Sequence, residues 1–479
     1  MTHTPQYLIG GTYRDTTDQP RLNVINPCTE DVLWTCPQCG PEHVAEAVAH
    51  AKEAQKSWGR THGSDRAVLL RKTADILGSR VDEIARALSL EIGRPFAQAQ
   101  NEVRRGTEIL IWIAGEAERV FGETMTSKAG GRVSITREPV GIVAGITPWN
   151  FPVGQPLQKL GPALAAGCTI ILRPAELAPL TSTLVVKCFT DAGFPDGVIQ
   201  MLHGAPQQIS EAIFATDDIR KIAFTGSTAV GKMLLGEAAK SVKRSSMELG
   251  GHSPVIVCAD ADIEHAAAQT AMLKFANAGQ VCIAPTRFYL DESIAEEFTL
   301  AMIKQAEARV VGDSQDPSST MGPLAHAVQR QKLEELIEDA VKHGARIRTG
   351  GDRPADKNTG FYLNPTVLDQ VPDDARIMHE EPFGPVAVLT TFKDLEDAIE
   401  RANASEYGLA SYAFSSDLSQ CEQLARDLEA GVVGINNVEA SQHETPFGGT
   451  KASGFGREAG RFGIQEYLNV KTTHLTWPS

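Results

Sequence analysis

The sequence predicts an α/β protein built on two mostly parallel sheets, each covered by helices. Three observations carry that expectation. Short apolar runs of strand length alternate with longer segments whose apolar residues return at helical spacing. Most of these runs stop at Gly, Pro or a polar cluster, as buried strands do. The alternation then restarts after Gly250-Gly251, as a second unit would. At about 150 residues per unit, 479 residues allow roughly three units.

In chain order, residues 42–90 read as helices, with Val48, Val68, Leu69, Ile76, Leu77 and Ile84 among the apolar positions. A further helix is expected over 96–117, with Val103, Ile109, Leu110 and Ile113 on its apolar side. Residues 132–137 alternate polar and apolar, which predicts a half-exposed strand closed by Pro139. Buried strands follow at 140–146, 169–172, 198–202 and 222–225. They end at Thr147-Pro148-Trp149-Asn150, Arg173-Pro174-Ala175-Glu176, His203-Gly204 and Gly226, with helices expected over 155–165, 181–192 and 209–215. Sheets of this kind bind ligands at the carboxyl ends of their strands, so these terminators are the residues to read for chemistry. Beyond Gly251, strands at 254–257, 287–290, 385–389 and 431–435 alternate with helices over 263–276, up to about 308, and over 328–343. The tail from Arg457, together with the 132–137 strand, is expected to form a small exposed sheet that pairs between subunits.

Composition narrows the function. With 45 Lys+Arg against 60 Asp+Glu, the net charge of -15 argues against nucleic acid as the main partner. Small anionic ligands remain open, because local backbone dipoles can hold them. Eight cysteines are too few for a disulfide scaffold. No apolar run reaches 18 residues, and the first residues lack the basic and apolar regions of a secretory signal. A cytoplasmic protein without a membrane span is expected.

Several residues could carry chemistry. Phe224-Thr225-Gly226-Ser227-Thr228 takes a strand through a tight turn into a helix, which suits a phosphate or simply a capped helix. It is neither the G-x-G-x-x-G fingerprint nor a P-loop. Arg173 and Glu176 share a turn and read either as a ribose clamp or as a surface ion pair. Cys282, among small and amide residues, is a nucleophile candidate or a core residue, and a helix start beside it would lower its pKa. Glu248 reads as a partly buried base or a surface acid in a turn, and Asn150 as an oxyanion donor or a helix cap. Cys28, Cys36, Cys39 and His43 admit a mixed metal site and Cys36-Pro37-Gln38-Cys39 a redox pair, but ordinary turn residues are the favoured reading and no metal is expected.

Taken together, the motifs are more specific than any one of them. Pro148-Trp149-Asn150-Phe151-Pro152, Arg173-Pro174-Ala175-Glu176, Phe224-Thr225-Gly226-Ser227, Glu248-Leu249-Gly250-Gly251, Gly279-Gln280-Val281-Cys282, Glu381-Pro382-Phe383-Gly384-Pro385 and Pro446-Phe447-Gly448-Gly449 occur in one order over nearly the whole length. In this the chain resembles the NAD(P)-dependent aldehyde dehydrogenase superfamily, in its hydrolytic branch. The resemblance implies two Rossmann-like parallel-sheet domains plus a small β oligomerisation element. The cofactor domain would take residues 1–118 and 140–250, the catalytic domain 251–450, and the oligomerisation element 119–139 and 451–479. It implies Cys282 as nucleophile, Asn150 and the Cys282 backbone N–H as oxyanion hole, and Glu248 as the base that activates water. The hemithioacetal would pass hydride to the nicotinamide and leave a thioester. Lys159 and Glu458 match a proton path to that glutamate.

For the cofactor, Trp149, Arg173, Glu176, Gly226 and Ser227 match the adenosine and pyrophosphate region, and Glu381 and Phe383 the nicotinamide ribose and ring. Position 173 departs from the family's usual lysine. Glu176 beside a ribose 2′-oxygen favours NAD over NADP, and Arg173 partly offsets it. The helix after Asn150 would line the entrance with Gly154, Gln155 and Gln158, while Val281 and Ile283 flank the nucleophile. No arginine occurs between Phe151 and Lys159, so an apolar aldehyde (aromatic, terpenoid or medium-chain aliphatic) is expected over a semialdehyde. A homodimer or homotetramer is implied. Retention of Glu248 favours hydrolysis over transfer to coenzyme A, and together with Cys282 it argues against a non-catalytic protein on the same scaffold.

Overall fold

The computed structural model describes residues 3–128 and 130–477. Its first sheet has eight strands, in the order Gly454–Phe455, Arg244–Glu248, Ile219–Thr225, Ile142–Ile146, Thr169–Arg173, Ile199–Met201, Tyr7–Ile9 and Thr12–Arg14. The central strands, from Arg244–Glu248 to Ile199–Met201, run parallel. Every residue of Ile142–Ile146 and Thr169–Arg173 is buried, because helices cover both faces; hence the unbroken apolar runs in the sequence. From Ile142–Ile146 the chain adds strands first on one side, through Thr169–Arg173, and then on the other, through Ile219–Thr225. A crevice opens at the carboxyl ends of strands where the order reverses in this way, and it is there that such sheets bind ligands. Thr147 to Asn150 and Gly226 to Ser227 leave the sheet at that point.

The second sheet has seven strands, in the order Arg346–Thr349, Thr366–Asp369, Val386–Phe392, Arg287–Asp291, Pro254–Val257, Ala410–Phe414 and Val432–Ile435. Only the edge pair Arg346–Thr349 and Thr366–Asp369 is antiparallel. Its core includes Val255, Ile256, Phe288, Val388 and Tyr412, and Cys282 packs against it.

Several elements differ from the sequence expectation. The run from Val140 becomes a strand only at Ile142, because Gly141 takes φ 111°. Arg244–Glu248 reads as polar (RSSME), yet it is a strand held by its ladder to Ile219–Thr225. Leu468–Leu475 pairs with Arg132–Pro139, which pairs with Glu123–Thr126, in a largely exposed three-stranded sheet, whereas Gly454–Phe455 joins the first sheet instead. Cys28, Cys36 and Cys39 are buried free thiols, and burial pushes Cys39 up to about 12. A protonated thiol opposes both the metal and the redox readings, which need thiolate. Among the described residues no group of three or more His, Cys, Asp or Glu is placed to hold a metal, and no helix is long and apolar enough to cross a membrane.

Candidate active site

Cys282 lies between the helix Ile263–Phe275 and the strand Arg287–Asp291. The helix stops before Ala276 because the chain turns through Asn277 (φ 49°), Ala278 (φ 52°) and Gly279 (φ 73°). Left-handed non-glycine residues cost roughly 1–3 kcal/mol each and persist where neighbours over-determine them. Here the neighbours do so. Asn277 Nδ2 donates to the carbonyls of Asn150 and Gln280, both at 3.2 Å, and Arg94 Nε donates to Asn277 Oδ1 at 3.1 Å. Gln280 Oε1 accepts from the Ala325 N–H at 2.9 Å. A Cβ on Gly279 would lie 2.1 Å from the Gly384 carbonyl oxygen, so the close approach requires glycine. Cys282 sits half-buried at the end of this fixed loop.

Asn150 leaves the strand Ile142–Ile146, is 4% exposed, and donates from Nδ2 to the Gln280 carbonyl at 3.2 Å. Its amide therefore stands against the loop that carries Cys282. Sequence reasoning missed what holds it there. Arg94 and Glu102 form a buried ion pair. Arg94 also donates to the Asn150 carbonyl, and its guanidinium lies 4.5 Å from the centre of the Phe151 ring. Glu102 Oε1 accepts the N–H groups of Val153 and Gly154, each at 2.9 Å, and so caps the helix Gly154–Ala166 from the neighbouring helix Phe96–Ala117. The sole trace in the sequence is an acid beside buried Val103. Substituting Arg94 by methionine would leave Glu102 buried without its partner. The unfolding free energy is then expected to fall by about 3–5 kcal/mol in urea denaturation, and a loss below about 1 kcal/mol would contradict this role.

Glu248 ends the strand Arg244–Glu248 opposite Thr225, and its carbonyl accepts the Gly226 N–H at 3.0 Å. The side chain is buried (3% exposed), not in a surface turn, and no hydrogen bond of normal geometry reaches either carboxylate oxygen. Burial pushes it up to about 8, against the weaker pull of the Lys159 and Arg457 cations. Lys159 is buried nearby. Its Nζ donates to Thr225 Oγ1 at 2.7 Å and pairs with Glu458, while burial pushes it down to about 7, opposed by Glu248. Glu458 is fixed by two backbone hydrogen bonds with Phe447, at 2.8 and 2.7 Å. A Cβ on Gly448 would lie 2.6 Å from Glu248 Oε1, so this segment also closes on the carboxylate. Buried groups that titrate near neutrality are suited to moving a proton.

The Cys282 thiol departs from expectation. No helix begins beside it, and burial, followed by the charges of Glu381 and Glu248, pushes it up to about 12. A thiolate at Cys282 would need a base close by rather than a low intrinsic pKa.

The crevice at the strand reversal carries the residues matched to the cofactor. Gly226 makes the turn before the helix Thr228–Lys240, and Ser227 caps that helix, its Oγ accepting the Val230 N–H at 3.4 Å. Arg173 is paired with Glu176 at 2.7 Å and donates to the Gly204 carbonyl at 3.1 Å, while its Nε is buried without a partner. The Trp149 ring meets Phe383 edge-on at 5.7 Å, joining residues from the two sheets. Glu381, half-buried, is pushed up to about 8 by burial, and a Cβ on Gly250 would lie 2.8 Å from its Oε2. A glycine-bounded crevice with a helix N-terminus, an orphaned guanidinium nitrogen and a carboxyl on the far wall fits an elongated nicotinamide dinucleotide.

Gly154, Gln155 and Gln158 begin the helix Gly154–Ala166, and the Oε1 atoms of both glutamines are buried without a partner. Val281 and Ile283 are buried on either side of Cys282.

A dinucleotide crevice facing a half-buried cysteine is the arrangement of a thiol-using oxidoreductase. The chain belongs to the aldehyde dehydrogenase family, whose profile matches residues 13–473, and by class it is an NAD(P)-dependent aldehyde dehydrogenase. It is 40% identical to a 3-sulfolactaldehyde dehydrogenase of Pseudomonas putida over 97% of this chain and 96% of that one. It is 37% identical to the NADP(+)-linked succinate-semialdehyde dehydrogenase GabD of Escherichia coli strain K12, over the same shares. The crystal structure of an E. coli NADP-dependent enzyme superposes with a TM-score of 0.97, at 36% identity, over 99% of this chain and 98% of that one.

Proposed function

We propose that this enzyme oxidises a short aldehyde with an anionic tail to the carboxylic acid, with water as acyl acceptor. The observation that carries the chemistry is the convergence of Asn150, Cys282 and Glu248 from two sheets on one crevice. The substrate class is supported by the similarity to enzymes named for 3-sulfolactaldehyde and succinate semialdehyde, which end in a sulfonate and a carboxylate. The apolar aldehyde expected from the sequence has no such support and gives way to this reading. Gln155 and Gln158 each keep a side-chain Oε1 buried without a partner, which suits a polar ligand better than an apolar one.

In this reading Glu248 takes the thiol proton and Cys282 Sγ bonds to the aldehyde carbon. The carbonyl oxygen becomes an oxyanion, held by Asn150 Nδ2–H and the Cys282 backbone N–H. The dinucleotide, when bound in the crevice of Gly226, Ser227, Trp149, Glu381 and Phe383, supplies the hydride acceptor. The thiol proton leaves Glu248 by way of Lys159 and Glu458, and the free carboxylate then removes a proton from water as its oxygen attacks the thioester carbon. The C–S bond breaks, the sulfur recovers a proton and the acid departs. Lys159 and Glu458 relay the proton outward. Glu176 would repel a 2′-phosphate and so favours NAD, and its pairing with Arg173 keeps that preference modest. Exposed Met125, Val470 and Phe121, in and beside the three-stranded sheet, suit burial in a homodimer or homotetramer.

Steady-state kinetics with succinate semialdehyde, 3-sulfolactaldehyde, butanal and benzaldehyde, each with NAD and NADP, test this reading. The anionic substrates are expected to exceed butanal in kcat/KM by at least about 10-fold. A higher value for benzaldehyde or butanal would contradict the substrate class. Formation of acyl-coenzyme A at full rate without free acid would contradict water as acceptor.

A further inference from the structure

We propose that Arg105, on a helix that contributes no chemistry to the reaction, is the cation that receives the anionic tail of the substrate. The inference rests on the substrate class proposed above. An anionic tail in a half-buried entrance needs a cation, and the helix Gly154–Ala166 carries only Lys159, which is buried and committed to Glu458 and Thr225. Arg94 is likewise committed to Glu102, Asn150 and Asn277. Arg457 donates to the carbonyls of Gly449 and Gly456.

The packing of Phe96–Ala117 on Gly154–Ala166 places Arg105. Glu102 reaches the N–H groups of Val153 and Gly154. A Cβ on Gly106 would lie 2.8 Å from Leu157 Cδ1, and one on Gly161 would lie 2.7 Å from Ile113 Cδ1. The two helices therefore run side by side in the same direction, with 102 beside 153–154, 106 beside 157 and 113 beside 161. Arg105 lies one turn beyond Glu102, level with the stretch that carries Gln155 and Gln158.

Arg105 Nη2 donates to the Ser441 carbonyl at 2.6 Å. Ser441 belongs to the loop after the strand Val432–Ile435, and Val438 and Ala440 of that loop are buried in the core against which Cys282 and Phe151 pack. The guanidinium thus bridges the helix and a loop rooted beside the nucleophile, at the outer end of the entrance. It is exposed, makes no ion pair among the described residues, and has used only one hydrogen bond. A guanidinium offers five N–H donors in a planar fork, so a face remains for bidentate contact with a carboxylate or a sulfonate.

The test measures the intact enzyme and its Arg105→Met and Arg105→Lys variants with succinate semialdehyde, 3-sulfolactaldehyde and butanal. In Arg105→Met the ratio of kcat/KM for each anionic substrate to that for butanal is expected to fall by about 30-fold, through KM rather than kcat, with part of the loss restored in Arg105→Lys. A fall for only one of the two anions would assign the site to that anion's geometry. An unchanged ratio in a variant whose parent favours the anionic substrates would overturn the role of Arg105 alone. A parent enzyme without that preference would overturn the substrate class itself, and the inference with it.

Discussion

Replacing Cys282 by alanine is expected to lower kcat/KM for aldehyde oxidation by at least about 10⁴-fold, with nicotinamide dinucleotide binding retained in a fluorescence titration. The size of the effect follows from the absence of a substitute. Cys168, Cys188, Cys258 and the N-terminal cysteines are buried, and Cys421 lies on the helix Leu418–Asp427, where its Sγ donates to the Ser415 carbonyl. The loop that presents Cys282 is held by Asn277, Gln280 and Arg94 rather than by the thiol, so the fold should survive the change. Residual activity above about 1% would contradict a reaction that passes through this sulfur.

Glu248→Gln is expected to separate the two halves of the reaction. One equivalent of reduced cofactor per site should form in a burst, and steady turnover should then fall by about 10²–10⁴-fold, because the amide cannot take a proton from water. The parent enzyme supplies the pH signature. Burial raises Glu248 to about 8, so its base form grows as pH rises through that value, and thioester hydrolysis should accelerate over the same range. The acceleration should vanish in Glu248→Gln. A full steady-state rate in the variant, or a parent rate that falls as pH rises from 7 to 8, would remove Glu248 from the hydrolytic step. Glu248 is also the base that takes the proton of the Cys282 thiol, which is raised to about 12, so the burst in the variant is expected to form more slowly than in the parent.

Local pattern and spatial assembly were not equally legible in the sequence. The carboxyl ends of buried strands were visible because apolar runs stop abruptly there, and Asn150 and Gly226 lie at two of those stops. Glu248 was visible as an acid among apolar and glycine residues, although its strand was not, since backbone ladder bonds rather than apolar side chains hold Arg244–Glu248. The direction of the Cys282 shift was hidden, because it depends on burial and on Glu381 and Glu248, carboxylates distant in the chain. Arg94 and Glu102 were hidden for a similar reason: eight residues apart in sequence, they act on Asn150, Val153 and Gly154, some fifty residues further on. The substrate expectation rested on one helix alone: an entrance helix without arginine suggested an apolar ligand, whereas the exposed Arg105 comes from the neighbouring helix and meets Ser441, 336 residues away.

The most direct test of a Cys282 thioester hydrolysed by Glu248-activated water is intact-protein and peptide mass spectrometry of Glu248→Gln, mixed with succinate semialdehyde and the dinucleotide and quenched in acid during the burst. An adduct equal to the aldehyde mass less two hydrogens is expected, located on the peptide containing Cys282. A burst of reduced cofactor with no adduct, or with the adduct on any other residue, would contradict it.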